Sequence, residues 1–251
     1  MKLALISDIH ANLQALHACL AHARAQGATQ LAFLGDLVGY GGAPAQVLDV
    51  VMQAVDDGAW AVLGNHDASA LAPPAQVQYA GELGAQWTHA QLAPPHLDFL
   101  ARLPLQQQHG ALLLVHASAL QPARWTYVDS SITAERSLAA ASALDPQIRL
   151  VFSGHVHHQS LYYRTPTAKL MRFAPQPGVP IPVPHHRQWL AVVGACGQPR
   201  DGDPRAMYAL YDEVAASLTF WRVPYDHHAA AQAVRASALP PAYADRLEQG
   251  R

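Results

Sequence analysis

Apolar and polar positions fall in blocks along this chain, and the blocks predict its elements. A short apolar run, Leu3 to Ile6, predicts a first strand that stops at Ser7-Asp8-Ile9-His10. Apolar residues then recur at Leu13, Leu16, Leu20 and Ala23, a helical period closing at Gly27 with Asn12 as N-cap. Residues 31–35 predict a second strand ending at Gly35-Asp36. Residues 44–57 predict a second helix between Pro44 and Gly58, and residues 60–63 a third strand. This β-α-β-α-β order is that of a parallel sheet with helices on its faces. The ligand site of such a sheet lies beyond the carboxyl ends of the strands.

Residues 68–110 break the rhythm and predict a helical insert. Ala68 to Val77, with Pro73-Pro74, predicts a loop, and Tyr79–Leu92 and His96–Leu103 predict two helices. A strand follows at 111–115, a long loop with Trp125 and Tyr127 at 117–132, an Ala-rich helix at 133–144 and a buried strand at 149–153. From residue 159 the pattern changes to strands, at 159–163, 168–173, 188–193, 206–212 and 217–223, interrupted by a Pro-rich link from Pro175 to Pro184. They predict a second, largely antiparallel sheet. Residues 226–251 predict one or two surface helices broken at Pro240-Pro241. No internal repeat and no separating linker occurs, so the expectation is one domain over 1–251.

Composition narrows the class. The chain has 251 residues, 51% apolar and 14% charged, with a formal charge of −2, which describes a globular protein with a full core. It has no Lys/Arg run to form a nucleic-acid stripe or a polybasic membrane patch, and no apolar run near the ~18 residues of a membrane span. The first strand begins at residue 2, leaving no room for a signal peptide. Cys19 and Cys196 are the only cysteines, which suits a reducing cytoplasm and no disulfide framework. Histidine is the unusual count, at 15, and five of them fall at strand ends.

Those strand ends carry the candidate chemistry. Asp8, His10 and Asp36 close neighbouring strands, and Asn65, His116, His155 and His157 follow later apolar runs. Each motif alone has a plain structural reading. Asp8 could cap the following helix, Gly35-Asp36 could form a turn, and a single histidine after a strand is usually a hydrogen-bonded core or surface residue. Five such endings at equivalent positions are a different matter. Carboxylate and imidazole together suit Mn, Fe(II), Zn or Ni more than Mg or Ca, with Mn favoured. Seven candidate ligands exceed one tetrahedral ion and match two divalent ions sharing a carboxylate. Two ions roughly 3.5–4 Å apart are the usual device for in-line attack on phosphorus. His66, beside Asn65, is then a spare imidazole able to protonate a leaving alkoxide, with Asp67 next door to orient it.

Asp8-Ile9-His10, Gly35-Asp36-Leu37-Val38-Gly39-Tyr40-Gly41, Gly64-Asn65-His66-Asp67, Val115-His116 and Gly154-His155-Val156-His157 resemble the five blocks of the calcineurin-like metallophosphoesterase family, in family order. The resemblance implies an α/β fold, a four-layer α/β/β/α sandwich. It implies that Asp8, His10, Asp36 and His157 bind one metal and Asp36, Asn65, His116 and His155 the other, with Asp36 bridging. It implies His66 as the catalytic histidine, and attack on a phosphodiester by a hydroxide held between the ions. The alternatives are a phosphomonoesterase or phosphoprotein phosphatase, and a non-catalytic scaffold of the same fold. Retention of His66 and of every ligand position argues against the scaffold.

Gly197-Gln198-Pro199-Arg200-Asp201-Gly202-Asp203-Pro204-Arg205-Ala206 and Arg222-Val223-Pro224-Tyr225-Asp226 resemble a small bacterial branch that includes phosphodiesterases and diadenosine-tetraphosphatase-like enzymes. That branch has Asn-Pro-Gly-Ser where this chain has Val192-Val193-Gly194-Ala195, which bears on the substrate and not on the ligands. Arg200 and Tyr40 are candidate substrate contacts. Arg200 and Arg205 either reach a phosphate, one of them as a bidentate donor, or lock a turn through pairs with Asp201 and Asp203, the commoner fate of such arginines. Tyr40, Trp125 and Tyr127 either rim the site or pack into loop cores, the commoner fate of such rings. A pocket for a small phosphoester would be narrowed by the 117–132 loop and the 164–188 segment. The expected partner is that small substrate, with no nucleic acid or membrane, and the oligomeric state is left open.

Overall fold

In the computed structural model, which describes all residues except 166 and 168, the chain runs β1 (Lys2–Ile6), α1 (Leu13–Ala25), β2 (Gln30–Phe33), α2 (Pro44–Asp56), β3 (Trp60–Ala61) and α3 (Asn65–Leu71). There follow α4 (Ala80–Gln91), α5 (Pro94–Arg102), β4 (Gln106–His109), β5 (Leu112–Val115), α6 (Ser131–Leu144), β6 (Leu150–Ser153), β7 (Gln159–Arg164) and β8 (Leu170–Phe173). The last elements are β9 (Ile181–Pro182), β10 (Trp189–Val193), β11 (Ala206–Asp212), β12 (Ser217–Val223), α7 (His227–Arg235) and α8 (Pro241–Gln249).

Two six-stranded sheets stack face to face. Their strand orders are β3-β2-β1-β11-β12-β9 and β4-β5-β6-β10-β7-β8. Side chains alternate across each strand, so both faces must be apolar when both are covered. On β1, Leu3 and Leu5 enter the core between the sheets, while Ala4 and Ile6 enter the core beneath α1 and α2. On β5, Leu112 and Leu114 point inward, and Leu113 and Val115 point outward to α6. The layering is therefore α/β/β/α. Burying one Leu or Phe side chain contributes about 1.5–3 kcal/mol, and the inner core includes Leu114, Phe152, Tyr211 and Phe220.

Several expectations change. The strands after residue 159 do not form a sheet of their own. β11 pairs antiparallel with β1, carrying β12 and β9 into the first sheet, while β7, β8 and β10 complete the second. Local pattern specifies strands and not their partners, which long-range packing selects. Position 168, the start of one expected strand, lies outside the described residues. The Asn65-His66-Asp67 motif opens α3, so the expected loop from Ala68 is helical as far as Leu71. The 68–110 insert is not wholly helical. β4, sequence QQQH, pairs with β5 across a two-residue turn at Gly110-Ala111. Its three glutamines carry no apolar alternation, and its one sequence signal was the glycine of the hairpin turn, at φ +57°. The C-terminal helices do more than cover surface. Ala231, Val234, Tyr243 and Leu247 form a core that packs on Tyr40 and Trp87.

Candidate metal centre

All seven candidate ligands stand at the same end of the sandwich, on the turns that follow β1, β2, β5 and β6 and on the first residue of α3. The backbone there is unusual. Asp8, His10, Asp36, His155 and His157 all have φ between +49° and +67°. That left-handed conformation costs a non-glycine residue about 1–3 kcal/mol, and it clusters where function over-rides local preference.

Each carboxylate divides its work between its two oxygens. Asp8 Oδ2 accepts the His155 N–H at 2.8 Å, and Asp36 Oδ1 accepts the His66 N–H at 2.8 Å. These bonds tie the first two motifs to the last and the third. The remaining oxygens turn toward imidazoles. Asp8 Oδ1 lies 3.2 Å from His157 Nε2 and 3.8 Å from His10 Nε2. Asp36 Oδ2 lies 3.3 Å from His116 Nε2 and 3.8 Å from His10 Nε2, so a single atom faces both groups of ligands. The donor atoms of Asp8, His10 and His157 lie within 4.8 Å of one another, as do those of Asp36, His116 and His155. Asn65 Oδ1 stands 3.1 Å from His116 Nε2, beside the second group.

The donor chemistry fits two cations. His10, His116 and His157 each point Nδ1 at a backbone carbonyl, those of Val38 (3.3 Å), Leu34 (2.7 Å) and Gln198 (2.6 Å). Donation from Nδ1 fixes the tautomer and leaves Nε2 as a lone pair aimed inward, the usual second-sphere arrangement of a ligating histidine. The lone pairs of His10 and His157 then face each other at 3.2 Å, and no N–H of that tautomer reaches Asp8 Oδ1. His116 Nε2 faces two further lone-pair atoms, Asn65 Oδ1 and Asp36 Oδ2, and also lies against His155 Nδ1. Buried acceptors facing one another without a donor are costly, and a cation at each group satisfies all of them together. The ion-free chain falls back on a proton. Burial alone would depress His116, but the Asp36 carboxylate outweighs it and raises the imidazole to about 9. Burial opposes the charge on Asp8 and Asp36, yet their histidine partners hold both well below the usual carboxylate range. Burial, with His116 nearby, lowers His155 to about 4.

Gly154 sits where the turn after β6 meets the turn after β1. A Cβ there would collide with Ser7 Oγ and Asp8 Oδ2, atoms packed against its backbone. Gly154→Ala is therefore expected to cost about 1–3 kcal/mol through overpacking. Urea unfolding of ion-free protein measures that cost, and an unchanged midpoint would show that the turn has room.

His66 is half-buried, with its ring 4.5 Å from Tyr40 and 5.1 Å from His10 between centroids, and backed by Gly39. Asp67 makes no hydrogen bond to its ring. Its Oδ1 accepts the Val38 N–H (3.1 Å) and its Oδ2 the Gly64 N–H (2.9 Å), so both oxygens clamp the loops around His66. Burial and the charge of Asp36 raise this carboxyl to about 7.

Arg200 departs from the expected turn. Asp201 and Asp203 pair with Arg222 and Arg205. Arg200 donates Nε and Nη2 to Gln198 Oε1 (3.1 and 2.6 Å) and lies 5.6 Å over the Tyr40 ring, with no carboxylate partner among the described residues. The Arg205–Asp203 pair is the one expected of this turn, whereas the partner of Asp201 was not readable because Arg222 lies on β12, distant in sequence. The rings, too, leave the loop core. Tyr127 is 48% exposed and stacks on His155 at 4.0 Å and 17°, and Trp125 meets His116 edge-on at 5.9 Å. Val192 and Val193 point into the cores on either side of β10, so the departure at these two positions is a matter of strand packing.

Residues 1–215 match the calcineurin-like phosphoesterase superfamily domain. The chain belongs to that superfamily. It is similar to a metallophosphoesterase of Sphaerobacter thermophilus, with 33% identity, a TM-score of 0.85, and 100% of this chain and 99% of that one covered. An uncharacterized protein of Methanocaldococcus jannaschii is 29% identical, covering 99% of this chain and 98% of its own. A hypothetical protein of Pyrococcus horikoshii OT3 shares the fold at 15% identity and a TM-score of 0.76, over 100% of this chain and 98% of that chain. The chain is thus a phosphoesterase, a hydrolase, and its two groups of potential ligands accord with the divalent metal ions the family implies. Among the described residues no helix is long and apolar enough to cross a membrane.

Proposed function

We propose that this phosphoesterase uses two divalent cations to hydrolyse the phosphodiester bond of a small molecule or nucleotide. The observation that carries the reading is the pair of ligand triads on either side of one shared oxygen, Asp36 Oδ2. Asp8, His10 and His157 would hold one cation and Asn65, His116 and His155 the other, with Asp36 common to both. Manganese is the first choice for this donor set, and the setting is the cytoplasm, where Cys19 and Cys196 stay unpaired. When bound, such ions supply Lewis acidity and bring the pKa of water near neutrality.

The chain's own residues do the rest. His66 stands beside the ligand groups on the open side, placed to give its ring proton to the departing oxygen. Asp67 positions His66 through the loop amides that it clamps. Arg200 brings an unpaired guanidinium to the rim, where it can donate to a phosphoryl oxygen.

One observation favours a second reading, phosphomonoester hydrolysis. A guanidinium without a carboxylate partner suits a dianion better than a monoanion. Hydrolysis of bis(p-nitrophenyl) phosphate and p-nitrophenyl phosphate by metal-stripped protein resupplied with Mn, Ni, Zn or Mg decides between them. Metal-dependent release from the diester is expected. Release from the monoester alone would replace the diesterase reading with the second one, and silence on both esters with two ions bound would count against both.

A further inference from the structure

We propose that the cleft between His66 and the 68–110 insert is the subsite for the leaving group, and that it takes a neutral alcohol with a planar ring, a nucleoside or an aryl alcohol. This rests on the phosphoesterase reading above and adds a polarity to the substrate. The cleft encloses about 400 Å³, and its walls include Asn65, His66 and Tyr40 from the site and Ala72, Tyr79 and Glu82 from the insert. That is the size range of small-molecule pockets. No residue of the 164–188 segment lines it, so the insert supplies the wall expected of that segment.

The direction of the chemistry selects the occupant. In an in-line displacement the departing oxygen lies on the far side of phosphorus from the nucleophile, and the acid that protonates it must be within hydrogen-bond reach. With His66 as that acid, the body of the leaving alcohol extends past the imidazole, into this cleft. Two tyrosine rings face the space, and the Tyr79 ring is 64% exposed, with no core to fill. Such rings favour a planar group, stacked or edge-on. Glu82 sets the charge. Its Oε2 accepts the Gln78 N–H at 2.6 Å, the one hydrogen bond of this side chain among the described residues. The carboxylate can accept from a donor on a base or ring and repels a second phosphate. The cation of this region, Arg200, lies over Tyr40 and adds positive charge at His66. The anionic end of the substrate therefore belongs by Arg200 and the neutral end by Glu82.

The wall is braced from outside the family domain. Tyr243 on α8 donates its hydroxyl to the Ala80 carbonyl (2.8 Å), lies against Gly84, and packs edge-on to Tyr40 at 4.9 Å. Insert and Tyr40 are thereby held at a fixed separation.

Three variants at the cleft test the subsite in metal-replete protein. With bis(p-nitrophenyl) phosphate, Ala72→Trp is expected to raise KM at least tenfold and Tyr79→Ala about threefold or more, with both ions retained. Glu82→Gln is expected to raise, at least fivefold relative to wild type, the kcat/KM ratio of a diester whose leaving phenol carries a carboxylate over its nitro counterpart. Intrinsic leaving-group reactivity cancels in that comparison. Unchanged KM and an unchanged ratio, with turnover still metal- and His66-dependent, would overturn the subsite and leave the phosphoesterase reading intact. If wild-type protein turns over no ester, calorimetric titration with adenosine still tests the cleft. Binding to wild type that weakens at least fivefold in Ala72→Trp supports it, and no binding, or equal binding, overturns it.

Discussion

Asp36→Asn is expected to lower the metal content from the proposed two ions per chain to one or none and to abolish phosphoester hydrolysis. Asp36 Oδ2 faces both His10 and His116, while Oδ1 is committed to the His66 amide. An asparagine keeps the shape and removes the charge. Its amide either presents a neutral oxygen to two cations or turns an N–H₂ toward them, and neither holds two divalent ions together. His157→Ala is the comparison, because His157 belongs to one triad, and it should chiefly weaken one site. Metal analysis after equilibrium dialysis reads both variants. Two ions retained in the Asp36 variant would contradict the shared ligand. An ion-free readout is independent of loading. The Asp36 charge is what raises His116 against its burial, so the His116 titration, about 9 in wild type, should move down in Asp36→Asn when followed by NMR. The sign follows from removing the anion that favours the protonated ring.

How much of this was legible in the sequence depends on how local each signal is. The strand ends were legible because an apolar run that stops at Asp-x-His or His-x-His is a contiguous pattern, and parallel strands bring such endings to one edge. The two sandwich faces were not legible in this way: Leu3, Ala4, Leu5 and Ile6 alternate between two cores but read as one continuous apolar run, and only the family resemblance implied the sandwich. What failed was choice of partner. β11 beside β1, Arg222 on Asp201 and Tyr243 under Tyr40 join residues more than 200 positions apart, or 21 apart across a whole strand, and no local period encodes them. Asp67 failed differently. Its position beside His66 suggested a side-chain bond, but the first turn of α3 points the carboxylate at Gly64 and Val38. A residue at the third helical position reaches back naturally to the N-cap amide.

The positive-φ residues and the facing lone pairs have one cause and one consequence. Five candidate ligands held in left-handed backbone, at about 1–3 kcal/mol each, and several unshared lone pairs in a buried site, destabilise the ion-free chain. The two cores either side of each sheet must offset this before any ion arrives. Ion binding then adds directly to folding stability, because the unfolded chain has no such site. The same preorganisation means little rearrangement is left for the ions to drive.

His66→Ala should lower kcat by about 10²–10⁴-fold, the usual contribution of a positioned proton donor, while leaving both ions in place. His66 contributes its backbone N–H to Asp36 and its ring to neither triad, so deletion of the imidazole leaves every ligand untouched. The alanine keeps that N–H, and Asp67 still clamps Gly64 and Val38, so α3 should start as before. The size of the loss should depend on the leaving group. p-Nitrophenolate departs without much help, whereas an alkoxide needs its proton in the transition state. The variant should therefore lose far more rate on a dialkyl or nucleoside diester than on bis(p-nitrophenyl) phosphate. The pH profile separates this role from a merely structural one. Burial already lowers the His66 pKa in the ion-free chain, and a general acid is lost as pH rises through its pKa in the complex. Wild-type turnover should thus fall on the alkaline side, and that limb should vanish in His66→Ala. Equal losses on good and poor leaving groups, with the alkaline limb retained, would remove His66 from proton transfer and leave it a wall of the substrate cleft.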